Sequence, residues 1–173
     1  LRVNLSMRFD AGRRESDSVQ LEGMGDIRAT VRARLGLTWE PAPLWSVNLG
    51  TSVDALNRVG GYVVTGSVSR TVPLGGQQRL IFGAALAGAG DRYMQAWYGV
   101  TPAQAAASGY AEFKAPEGLR DVSVSATWRN EFSPQWAGFA GVNASRLLGP
   151  AADSPLALSR NGYTVSVGLA RRF

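Results

Sequence analysis

The sequence contains no cysteine and no histidine among its 173 residues. Without cysteine there can be no disulfide, no thiolate nucleophile and no zinc–sulfur site. Without histidine the commonest general base and metal ligand is missing. Ser154 stands beside Asp153 but cannot belong to a Ser–His–Asp triad. The acidic residues are too scattered for a paired-carboxylate site or a calcium loop, and the glycines form no phosphate-binding motif. An enzymatic reading is therefore weak, and no cofactor or metal is expected. Lysine is reduced to Lys114, although Lys and Arg together number 18 against 13 Asp and Glu, a net charge of +5. The cations are almost all arginines, dispersed rather than massed, which argues against a nucleic-acid partner. Charged residues reach only 18%, below the roughly 25% of an average soluble domain. Long apolar runs are also missing. The longest uncharged one, LIFGAALAGAG at Leu80–Gly90, falls far short of the roughly 20 residues of a membrane-spanning helix. The sequence starts at Leu1 rather than Met and reads as a processed mature chain or a fragment.

What the sequence does have is period two. In LRVNLSMRF, Leu1, Val3, Leu5, Met7 and Phe9 oppose Arg2, Asn4, Ser6 and Arg8. In DIRATVRARLGLTW, Ile27, Val31, Leu35, Leu37 and Trp39 oppose Arg28, Thr30, Arg32, Arg34 and Thr38. Six further segments follow: residues 45–55, 61–72, 79–89, 121–130, 136–147 and 162–173, with a weaker alternation in 79–89 and the least distinct one in 136–147, where small residues fill both faces. Strict alternation predicts strands. At about 10–13 residues they are twice the length usual in soluble sheets and match tilted membrane-spanning strands. The connections alternate as well. Residues 40–43, 73–78 and 130–135 are short turns, residues 12–25, 90–119 and 148–161 are long loops, and only the short Leu56–Gly60 link breaks the rule. Long loops opposite short periplasmic turns describe an outer-membrane barrel of bacteria. The expected fold is one all-β domain over 1–173, an antiparallel up-and-down transmembrane barrel with about eight strands in this chain. Both ends of the chain then lie on the periplasmic side. Trp39, Trp45, Trp128 and Trp136 flank the short turns and predict a girdle at the lipid headgroups. The last strand ends on Phe173, and closure of the barrel by that strand would leave no edge exposed to lipid. A soluble lipocalin-like barrel would need its apolar set inside; here the apolar face is wide and almost free of charge.

On the polar face, Arg2, Arg8, Arg28, Arg32, Arg34 and Arg129 are predicted to line the lumen, with Asp10 and Asp54 as partners. Two roles fit: a plug of ion pairs filling a narrow interior, or a cationic throat preferring anions, led by Arg28, Arg32 and Arg34. The segment YGVTPAQAAASGY predicts a short helix near 101–108. Thr101 is the N-cap, Pro102 the first helical residue, Gln104 completes a capping box and Gly109 ends the helix. This loop is either a lid over the mouth or a docking surface, with Tyr98, Thr101, Pro102 and Gln104 as contact candidates. Asp153, Ser154 and Pro155 are further candidates in an ordered loop.

Tyr98–Tyr110, Gly118–Leu156 and Gly12–Val31 together resemble the MltA-interacting protein/OmpV family of outer-membrane proteins. Pro150 and Arg171 depart from the acidic and aromatic residues expected there. The resemblance implies an eight-strand portion of a barrel of ten or twelve strands. It also implies a non-enzymatic protein of the outer membrane, surrounded by lipid and lipopolysaccharide and delivered by the assembly machinery that reads a terminal aromatic such as Phe173. The family's name-giving member links a murein lytic transglycosylase to a peptidoglycan synthase. Other members resemble porin-like channels or surface adhesins.

Overall fold

The computed structural model describes residues 1–172. Eight antiparallel strands form one curled sheet in simple sequence order. They are β1 (Arg2–Asp10), β2 (Thr30–Trp39), β3 (Trp45–Asp54), β4 (Tyr62–Gly75), β5 (Gln78–Ala89), β6 (Gly118–Asn130), β7 (Trp136–Leu147) and β8 (Asn161–Arg171). Three short helices interrupt the long loops: α1 (Asp91–Tyr98), α2 (Pro102–Ser108) and α3 (Gly149–Asp153). No helix is long and apolar enough to cross a membrane.

The predicted alternation sets the faces. Leu5, Leu35, Leu49, Val124, Val142 and Val167 all point outward and are between 47% and 80% exposed. Register holds each face together: Leu35 pairs with Leu5 and Thr51, and Arg34 with Ser6 and Ser52, so like faces like across the ladder. The polar set lines the concave side. A groove there is walled by Asn4, Ser6, Arg34, Asn48, Thr65 and Ser67.

Three details differ from the sequence expectation. Strand β2 begins at Thr30, not at Asp26; before it, Ile27 makes only an isolated bridge to Arg13. Strand β4 runs through Pro73 to Gly75, with a register shift between those residues, so its turn is Gly76–Gln77 alone. The sheet is also not closed. Strands β1 and β8 are its edges and, among the described residues, do not pair with each other.

The buried core lies at one end. Val63, Ala89, Met94, Ala115 and Ala151 pack together where the long loops fold over the concave face. We call this the cap. Below it the inner face is mostly hydroxyls, amides and arginines, and no second buried apolar cluster occurs among the described residues.

Candidate functional site

The cap is assembled from four loops. Helix α2 forms as its residues dictate: Thr101 Oγ1 accepts from the Gln104 amide at 3.3 Å, and Gln104 Oε1 accepts from the Thr101 amide at 2.9 Å. The helix ends at Gly109 in the left-handed region, φ 78°. Gln104 then reaches out of its own helix, donating Nε2 to the Met24 carbonyl at 2.6 Å. Pro102 fills the first turn, as expected. Helix α1, absent from the sequence expectation, buries Met94 completely. Its carboxy end is held by Ser154, which is 5% exposed and donates Oγ to the Tyr98 carbonyl at 2.6 Å. Burial raises the Tyr98 phenol to about 12, against an opposing pull from Arg120. Two glycines permit close contact: a Cβ at Gly61 would lie 2.6 Å from the Tyr93 amide, and one at Gly23 2.7 Å from the backbone of α2.

Tyr98, Gln104 and Ser154 are thus engaged inside the cap, while Asp153 is exposed and pairs with Arg160 at 3.2 Å. Pro155 follows Ser154 in the turn that leaves α3. The loop after β5 is packed into the cap rather than standing free of it.

The predicted lumen charges separate into three groups. Under the cap, Arg32 is 5% exposed, lies beneath the Tyr93 ring with 5.1 Å to its centroid, and donates Nη2 to the Ser52 and Gly61 carbonyls at 3.2 and 3.4 Å. Arg120 approaches the same ring at 5.7 Å and donates to the Tyr93 hydroxyl at 3.2 Å. Along the open concave face, Arg8 opposes Arg32 in register and Arg34 opposes Ser6. At the turn end, Glu131 binds Arg79 and lies 3.4 Å from Arg129, while Arg2 pairs with Glu40 on the rim.

Four of the predicted lumen residues have particular placements or partners. Asp54 has no ion pair among the described residues. It accepts from the Thr30 hydroxyl and from the amides of Leu56, Val59 and Gly60 at 3.1, 2.7 and 2.8 Å, which folds the tight β3–β4 link. Asp10 likewise accepts from the Gly12 amide at 3.1 Å. Arg2 turns to the rim. Arg28 lies outside β2, exposed in the cap, so it does not continue the Arg32–Arg34 row. Trp39, Trp45, Trp128 and Trp136 lie exposed on the outward face at the turn end. Arg70 stacks on Trp45 at 5.3 Å and Arg171 on Trp136 at 5.6 Å. Phe173 lies outside the described residues.

Sequence reasoning missed Arg13 and Arg58. Arg13 donates to the Trp97 carbonyl at 3.4 Å and Arg58 to the Ala29 carbonyl at 2.8 Å. Both sit in loops, where alternation carries no information. No group of residues suited to a metal ion occurs among the described residues.

A family model described as MltA-interacting protein MipA matches residues 1–173, the whole chain. No curated protein matches.

Proposed function

From the premise that the chain belongs to the MltA-interacting protein MipA family, we propose that it is an outer-membrane scaffold for cell-wall remodelling enzymes. The partner its family name indicates is MltA, a transglycosylase acting on murein; a peptidoglycan synthase is the second partner. The observation that carries this reading is the family match along the full chain. The apolar outer face is the lipid-facing side in this reading, with lipopolysaccharide at its long-loop end. The two unpaired edges, β1 and β8, are completed in the membrane by further strands, because open ladders are not tolerated in hydrocarbon. The scaffold's working surface is the short-turn end, where residues 40–44 and 76–77 project. The role is non-enzymatic.

A passive channel is the less favoured role. The cap covers the loop end of the concave face and buries Arg32, the central member of the supposed cationic throat.

The test is capture of murein enzymes on the immobilised, detergent-solubilised protein. Retention of the transglycosylase, weakened by replacing residues 40–44 with a Gly/Ser linker, supports the scaffold. Failure to retain any murein enzyme from detergent extracts counts against it. Bilayer conductance with anion preference lost in Arg32→Ser would favour the channel instead.

A further inference from the structure

Buried donors without acceptors are concentrated in the cap. Among the described residues, four buried side-chain nitrogens have no hydrogen-bond partner, and three of them, on Arg13, Trp97 and Arg32, are strung along one chain of contacts. Arg13 touches the Trp97 carbonyl, Trp97 stacks on Tyr93 with 5.9 Å between centroids, and Tyr93 covers Arg32. Burial without an anion lowers the Arg13 pKa. A desolvated guanidinium with an empty donor is costly, and water satisfies the donor without neutralising the charge.

Arg13 also lines a cleft of about 480 Å³ between the loop after β1, the β3–β4 link and the α1–α2 segment. Arg28 and Arg58 share its wall, with Asn57 and Gln104 as neutral donors. Asp26 is the single carboxylate on that wall, and it is engaged by the Glu15 amide at 2.8 Å. None of the three arginines has an ion-pair partner among the described residues. Three guanidinium groups against one acid leave the cleft cationic. The planar guanidinium fork suits carboxylate and phosphate oxygens.

We propose that this cleft is an oxyanion site, in which Arg13, Arg28 and Arg58 hold a phosphate or carboxylate group at the long-loop mouth. The site is independent of the scaffold reading, since it lies at the opposite end of the sheet from the short turns.

The test uses the whole protein folded in phosphatidylcholine vesicles, titrated with inorganic phosphate against chloride at constant ionic strength, with binding read by calorimetry. Saturable phosphate binding is expected, weakened at least tenfold by Arg13→Gln and by Arg58→Gln. Arg70→Gln, at the turn end, is expected to leave it unchanged. Heat-modifiable gel mobility verifies folding of each variant. If Arg13→Gln does not fold, Arg28→Gln, an exposed position on the cleft wall, serves in its place with a several-fold loss. Repeating the titration in vesicles containing lipopolysaccharide identifies the source. A persisting response assigns the cleft to a free oxyanion; a response abolished by the lipid in the wild type assigns it to a lipid phosphate. Equal responses to phosphate and chloride, or saturable binding that none of the three cleft substitutions weakens, would overturn the proposal.

Discussion

At the long-loop end of the sheet, Met94, Val100, Ala115 and Ala151 are at most 2% exposed; at the short-turn end, Trp39, Trp45, Trp128 and Trp136 are 37–55% exposed. The same strands connect both ends. The cap is organised as water-soluble domains are, with apolar groups packed against one another and polar caps on its helices. The sheet below inverts that order: its apolar groups face out and its polar groups face in. The difference shows where each region obtains its hydrophobic stabilisation. The cap obtains it from itself; the outer face, in the outer-membrane reading proposed above, would obtain it from an amphiphile.

The sharpest way to separate the two regions is to open a cavity in the cap. Met94→Ala is expected to cost about 2–5 kcal/mol locally, seen as faster hydrogen exchange in residues 90–117 with strand amides unaffected. Equal loss of protection in β3–β6 would show that the regions are one cooperative unit. The converse experiment puts a charge on the outer face. Val124→Arg, mid-strand and 57% exposed, is expected to destabilise the vesicle-folded protein by about 2–4 kcal/mol. The same change at neighbouring Ser125, on the concave face, should cost markedly less in denaturant titrations.

Alkaline pH should act on the cap through Tyr98. The Tyr98 phenol is held at about 12, above its ordinary 10.0. Its contribution is complete below pH 10, where the phenol is neutral whether the chain is folded or unfolded. It is lost between pH 10 and 12, where only the folded state keeps the proton. The loss is about 2–3 kcal/mol, and Tyr98→Phe should remove this pH dependence from the cap's thermal transition. The smallest effect is expected from Thr101→Ala, which removes half of the α2 capping box at about 1 kcal/mol. Exchange should quicken at Gln104 and its helical neighbours while α1 holds. A slowing or no change there would mean that α2 is held by its tertiary contacts, not by its own cap.

The strands and α2 were legible because each is written in local chemistry: alternation for the first, Thr-Pro-x-Gln and a terminal glycine for the second. Helix α1 was not. Its segment DRYMQAWY carries aromatic residues of middling helix propensity, and what fixes it is the burial of Met94 and the seat of Tyr93 on Arg32. Asp54 lies opposite Arg32 in register, yet its hydrogen bonds run to Thr30 and to its own link. Three amides of its own link are better placed, a local geometry that charge counting does not reveal. Arg28 was misassigned because alternation continued past the point where the chain leaves the ladder at Thr30. The cleft of Arg13, Arg28 and Arg58 was invisible for a further reason: its walls come from loops distant in sequence, and only folding brings them together.

The Ser154 hydroxyl on the Tyr98 carbonyl joins the connection before β8 to the connection before β6. Its two ends are separated in sequence by the paired strands β6 and β7, so the bond clasps the mouth across that hairpin and ties α1 to the segment that leaves α3.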